Sequence, residues 1–321
     1  MLVKMNEDKG KTNWPLIIVI VVNWNGVEIT YEDKSILDTT LETLKKADYK
    51  TFKVVVADAE SEDKSTMLIQ KKFKYADIIK IPNKGWGYIA NRAIKYAFKK
   101  YPNLEYILLL NNDLKFNDPG WLKKFIKISN DDVDIGIMGC KLYAPDGTPQ
   151  GSGSYSEKFY SLSSNKKSGY TDTVNGAVLL IKKNVMKEIG LFDEIYLPFF
   201  GEESDLCMRS NLAGYKSYFL SDTDITHLGG YTIMKSKLKR TWTKRQLEYI
   251  AIRNDWIFLL RWYPYLLPIN LAYNIVQSFI KNDNGLHLRN KDDIIFRLSS
   301  ISKGLSNAFK LYKKKKIPML K

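Results

Sequence analysis

Five short apolar runs, at residues 16–22, 53–57, 78–81, 106–110 and 135–139, divide the first 140 residues of this chain. None alternates polar with apolar, so each predicts a strand buried on both faces. The segments between them have helical spacing instead, with Ile36, Leu37, Leu41 and Leu44 in one and Ile89, Ala93, Ile94 and Ala97 in another. Strand and helix in alternation build a mostly parallel sheet covered on both faces, so the expected fold class is α/β. In such a sheet the ligand sits at the carboxyl ends of the strands.

Polar residues gather at those ends. Asn23-Trp24-Asn25-Gly26 follows the first run, Asp58-Ala59-Glu60-Ser61-Glu62-Asp63 the second, Asn83-Lys84-Gly85-Trp86-Gly87 the third and Asn111-Asn112-Asp113 the fourth. Each alone reads as a turn, but four at one sheet edge predict a site. No GxGxxG follows the first strand, which argues against a Rossmann NAD site. Further on, Glu202-Glu203-Ser204-Asp205 precedes a helical stretch at 206–213 closed by Gly214. Acidic residues there fit helix capping or acid–base chemistry. His227 is one of two histidines and fits a structural or a ligand role. The stretch 143–170, rich in Gly, Ser and Tyr, predicts a long loop over the cleft, and 174–182 a further strand.

A chain of 321 residues with 45% apolar content can bury a full core, which excludes a wholly disordered protein. Cys140 and Cys207 are too few and too far apart for a disulfide framework or a CxxC metal site. Residues 1–13 are polar and the apolar run after them spans only 16–22, so no secretory signal is read and a cytoplasmic address is expected. The net charge of +15 is unevenly placed: Tyr231 to Lys321 holds 19 Lys and Arg against 5 Asp and Glu, leaving 31 against 30 before it. A basic tail on a neutral body fits an anionic membrane surface, nucleic acid or a solvated face. Within it, Arg253, Asp255 and Arg261 argue against a spanning helix over 249–267. The reading is an amphipathic helix with Trp256, Trp262 and Tyr263 at a membrane interface and Lys313 to Lys316 near its anionic surface, the alternative being helical packing on the neutral body.

The blocks VVNWNG at 21–26, VVADAESED at 55–63, NKGWGYIANRAI at 83–94, LLNNDLKF at 109–116 and GEESDLCMRSNLAGY at 201–215 together resemble the family 2 glycosyltransferases of GT-A fold. They look most like rhamnosyltransferase-like and galactofuranosyltransferase-like members. The resemblance covers about 14–230, leaving 231–321 as a basic helical extension. It implies metal-dependent, inverting transfer from a UDP- or dTDP-type sugar to a glycan or lipid-linked acceptor, and the basic tail adds an expected peripheral place on the inner face of a membrane.

The resemblance also implies site residues. LNND stands where the family has its DxD motif, so Asp113 would hold a divalent cation, Mg or Mn, with Asn112 beside the donor sugar. Asn at the first position leaves one carboxylate where the family often has two. His227 follows Glu203 at the separation of the family's metal-binding histidine. Glu203 takes the place of the catalytic base, commonly Asp. Glu202 and Asp205 are assigned to supporting or acceptor-binding roles, with Arg209 paired to the cluster. Asp58 would accept the N3 hydrogen of uracil or thymine, beside Val22 and Asn23. Lys84 and Gly85 would meet the phosphates at the helix opening near Gly87, and Arg92 would add charge. Trp86 and Trp24, aromatic residues near glycines, fit either stacking on the sugar or packing. Two other readings stand beside this one. A sugar-nucleotide nucleotidyltransferase would need an early glycine-rich phosphate loop, which is lacking. A nucleic-acid-binding protein would use the basic tail, yet the motifs lie in the neutral body.

Overall fold

The computed structural model describes residues 14–150, 167–228, 243–282 and 286–312. Four parallel strands, β1 (Ile17–Asn23), β2 (Phe52–Asp58), β3 (Ala76–Lys80) and β4 (Tyr106–Asn111), lie in the order β3-β2-β1-β4. They are connected through α1 (Ile36–Lys45), α2 (Ser65–Lys72) and α3 (Trp86–Lys100). Every residue of β1 is buried: Ile17, Val19 and Val21 enter one hydrophobic cluster, Ile18, Ile20 and Val22 the other. Each such side chain stabilises the fold by roughly 1.5–3 kcal/mol, which is why the runs at 16–22 and 106–110 become central strands, whereas β3 lies at the sheet edge and is only half-buried.

Past Asp113 the chain forms β5 (Leu114–Phe116), α4 (Trp121–Asp131), β6 (Ile135–Cys140), β7 (Leu142–Tyr143) and β8 (Pro149–Gln150). It resumes with β9 (Gly169–Thr171), β10 (Val178–Lys182), α5 (Lys183–Ile189), α6 (Glu202–Leu212), β11 (Lys216–Leu220) and β12 (Ile225–His227). The main sheet has eight strands in the order β9-β11-β6-β10-β4-β1-β2-β3, and β10 runs antiparallel between β4 and β6. A second sheet, β8-β7-β12-β5, crosses the carboxyl end of β4.

The strand expected over 174–182 begins only at Val178, and Asn175 to Ala177 are left free to line the cavity below. Of the expected loop 143–170, residues 151–166 lie outside the described set, and the flanks form β7, β8 and β9. The helix expected from 206 starts at Glu202 after Gly201, a glycine at φ 98°, so the acidic cluster occupies its first turn.

The extension folds as α7 (Lys244–Trp262), α8 (Leu267–Phe279), a hairpin of β13 (Ile280–Asn282) and β14 (Leu286–Leu288), and α9 (Lys291–Tyr312). The interfacial reading of α7 is overturned. Trp256 is 1% exposed and packs with Ile252, Ile257, Ile301 and Tyr196, while Trp262 and Tyr263 are half-buried against the same cluster. Asn254 explains the fixed seat, since its amide donates to the carbonyls of Tyr196 (2.6 Å), Phe199 (2.8 Å) and Phe200 (2.9 Å). Lys313 to Lys316 and the glycines at 229 and 230 lie outside the described residues. Among the described residues, no helix is long and apolar enough to cross a membrane.

Candidate active site

A cavity of about 580 Å3 opens where the carboxyl ends of β1 and β4 meet the start of α6. Val22, Lys84, Gly85, Trp86, Asn112, Asp113, Glu202, Glu203 and His227 all line it, joined by Trp24 and by Leu197 to Phe200. A second hollow of about 740 Å3 sits at the opposite edge of the sheet near Pro15 and Lys182, away from the motif-bearing strand ends.

The floor is a chain of amides. Asn112 Nδ2 donates to Asn23 Oδ1 (2.8 Å), and Asn23 Nδ2 donates to Asp58 Oδ1 (2.8 Å). Asp58 also accepts from Ser61 Oγ (2.7 Å) and Ser61 N (3.1 Å). Asn23 and Asp58 are therefore not on the cavity wall as expected: both are fully buried beneath it and tie the β1 and β2 turns together. Gly26 has to be glycine here, because a Cβ would lie 2.4 Å from Asn23 Oδ1 and 2.7 Å from Asn112 Nδ2.

The side facing β12 has a hydrogen-bond logic that fixes every amide. The Trp86 indole can only donate, and it donates to Asn111 Oδ1 (3.1 Å), which turns Asn111 Nδ2 toward His227 Nε2 at 3.5 Å. Gln150 Nε2 donates to the His227 carbonyl (2.9 Å), so Gln150 Oε1 is the acceptor for His227 Nδ1 at 2.7 Å. His227 Nδ1 therefore donates to Gln150, and its Nε2, with Asn111 Nδ2 at 3.5 Å, faces Asp113 Oδ1 at 3.3 Å, a buried oxygen with no hydrogen-bond partner among the described residues. A carboxylate oxygen and an imidazole nitrogen this close fit a divalent cation. Among the described residues there is no group of three His, Cys, Asp or Glu that could hold one.

Glu202 and Glu203 stand at the start of α6. Glu202 is buried, its Oε2 has no hydrogen-bond partner among the described residues, and burial, then the neighbouring Glu203, push its carboxyl well above the usual range. Glu203 is only half-buried and lies against Gly176, where an added Cβ would meet its Cγ at 3.3 Å. Gly85, at φ 116°, is the other required glycine, since a Cβ would lie 2.2 Å from the Pro198 carbonyl. The Trp86 amide already donates to that carbonyl (2.8 Å), so it is not open to a phosphate.

Two expected contacts are corrected. Arg92 lies outside the cavity, stacked 3.2 Å from the Tyr88 ring centroid and ion-paired with Glu194. Asp205 does not face a substrate. It is fully buried and accepts from Arg209 Nε (2.9 Å), Trp262 Nε1 (3.0 Å), Tyr196 Oη (3.3 Å) and Arg261. Arg261 also donates to Asp193 (2.8 Å). Sequence reasoning missed Gln150, Arg261 and the lip at 197–200. Gln150 reaches His227 across the second sheet, and Arg261 is 56 residues from Asp205, so neither leaves a local signal.

A model of the family described as glycosyl transferase family 2 matches residues 19–190. The O-antigen biosynthesis protein RfbC of Myxococcus xanthus is 23% identical over 287 residues, covering 83% of this chain and 21% of that protein. The uncharacterized protein y4gI of Sinorhizobium fredii is 26% identical over 138 residues, covering 38% of this chain and 15% of that protein. The chain therefore spans about a fifth or less of these relatives' length. Among solved structures, S. aureus TarS in complex with UDP superposes with a TM-score of 0.52 at 14% identity, over 93% of this chain and 90% of that one. GalNAc-T7 with UDP, GalNAc and Mn2+ gives 0.57 at 13% identity, over 90% and 56%. These are likenesses of fold.

Proposed function

This chain belongs to glycosyl transferase family 2 and is a glycosyltransferase of GT-A fold, and from that premise we propose metal-dependent, inverting transfer of a sugar from a UDP- or dTDP-type donor to a hydroxyl of a glycan or lipid-linked saccharide. The observation that carries this reading is the Asp113 oxygen, without a hydrogen-bond partner among the described residues, 3.3 Å from His227 Nε2 on the wall of the cavity that holds Glu203. The UDP and Mn2+ held by fold neighbours and the polysaccharide role in RfbC's name agree with it.

Asp113 and His227 would hold Mg2+ or Mn2+, which supplies neutralisation of the diphosphate charge that develops on departure. Glu203 accepts the proton of the acceptor hydroxyl as its oxygen bonds to the anomeric carbon. The bond from that carbon to the diphosphate breaks on the opposite face, releasing a nucleoside diphosphate and an inverted glycoside. Glu202, whose carboxyl is pushed above the usual range by burial and then by Glu203, is the weaker candidate for an ionised base and borders the acceptor instead. Val22 and Ala59 border the base, Lys84 adds positive charge near the phosphates, and Trp24 and Trp86 offer faces to the sugar. Asn23 and Asp58 act from below, by holding the two turns in place.

Asp113→Ala should abolish transfer while leaving the melting temperature within the range of ordinary surface changes, because the residue ends a strand and fills no core space. Thermal shifts with a panel of sugar nucleotides, with and without Mn2+, identify the donor. Full activity in excess chelator overturns the metal-dependent reading.

A further inference from the structure

α8 is built inside out. Its buried side chains are polar, Asn270 and Ser278. They are knitted through Asn274, whose Nδ2 donates to Asn270 Oδ1 (2.8 Å) and whose carbonyl accepts from Ser278 Oγ (2.8 Å). The apolar residues face outward: Ile269 is 60% exposed, Tyr273 52%, Val276 51% and Phe279 42%, with Tyr265 at 70% a turn earlier. At 3.6 residues per turn these positions fall on one side of the helix. A helix that faces water has the opposite arrangement. Leu267 and Leu271 pin the inner side to the cluster beneath α7, so the outward stripe is held in place and has no cover among the described residues.

Charge selects what covers it. α8 carries no charged residue, yet the chain from Tyr231 onward holds 19 Lys and Arg against 5 Asp and Glu. A second copy would bring two strongly basic segments together. An anionic lipid surface complements the charge and accepts tyrosines and aliphatics at its headgroup level. We propose that α8 lies in the plane of an anionic bilayer with Ile269, Tyr273, Val276 and Phe279 inserted. This surface stands apart from the transfer chemistry and holds whatever sugar is moved.

Sedimentation of the full chain with phosphatidylcholine vesicles, with and without phosphatidylglycerol, tests it at low and high salt. The parent should pellet with the anionic vesicles, and Ile269→Ser/Val276→Ser should weaken that binding by at least about tenfold, with an unchanged melting temperature because both side chains are exposed. A solvatochromic probe on Val276→Cys gives a second reading, since the native Cys140 and Cys207 are buried. Its emission should shift to the blue on anionic vesicles, while the same probe on Met67→Cys, 62% exposed on α2, should not shift. Equal binding by the double variant, a silent Val276 probe, or a shift that tracks protein concentration without lipid would each overturn the proposal.

Discussion

Asp113 and Asp205 are both buried aspartates near one cavity, and their surroundings are opposites. Asp205 has two arginines, an indole and a phenol directed at it. Asp113 has an oxygen with no hydrogen-bond partner among the described residues, faced by one imidazole nitrogen at 3.3 Å. Buried carboxylates are tolerated when every lone pair is occupied, so the saturated one reads as scaffold and the unsaturated one as a site awaiting a ligand. Residue type and burial alone do not separate them; the hydrogen-bond inventory does.

Perturbations of the two regions should separate in kind. The largest effect is expected at the open end of α6, where Glu203→Gln should lower turnover by about 10² to 10⁴ with donor binding unchanged. If instead Glu202→Gln is inactive and Glu203→Gln is not, the base is assigned to the wrong carboxylate. At the saturated end Arg261→Ala should lower stability by about 3–5 kcal/mol in urea unfolding, because it strips a buried carboxylate of its charge partner. An Arg261→Ala protein as stable as the parent but inactive would erase the distinction between the regions. For the same reason a chain cut near residue 230 should not behave as an intact catalytic domain, since it loses Arg261, Trp262 and the cluster around Trp256.

Smaller effects refine the comparison. Gln150→Leu frees the His227 ring from its fixed tautomer and should weaken Mn2+ binding by about 10- to 100-fold in calorimetry. Unaltered binding would mean that the ring is oriented by something else. The smallest effect follows from Glu202. Its folded pKa lies well above the ordinary 4.5, so above that pH the unfolded state has released a proton that the folded state keeps. Its contribution is complete below pH 4.5 and is lost as pH rises toward the folded pKa, by at most about 1.4 kcal/mol per pH unit. Melting curves across pH should be flatter for Glu202→Gln over that interval, and parallel curves would show Glu202 to be ionised.

The strands were legible because an unbroken apolar run has one comfortable place in an α/β fold, and 106–110 against Tyr106–Asn111 differ by a residue. The order of polar strand ends located the cavity for the same reason. What sequence could not give was the direction of a side chain after its strand. Asp58 ends a buried strand and Asp113 follows one, yet one turns down into Ser61 and Asn23 and the other toward His227. Nor could it tell the aromatic content of α7 from that of a surface helix. Trp256 is buried because Asn254, two residues away, is bound to three carbonyls of the 196–200 loop. The apolar exposed face belongs to α8, whose sequence carries no charge to draw attention to it.

His227 stands beside Asp113 because β12 pairs antiparallel with β5, setting His227 opposite Leu114, and the Leu228 amide closes onto the Asp113 carbonyl at 2.9 Å. Their separation is thus written in backbone pairing rather than in either side chain. A strand alternates faces at every residue, so a single codon gained or lost between Ile225 and Leu228 would turn the imidazole to the far side of the sheet. Apart from His227 itself, point substitutions on this strand can drift while its length cannot. Homologous chains should therefore vary at the other positions of β12 but accumulate their insertions and deletions elsewhere.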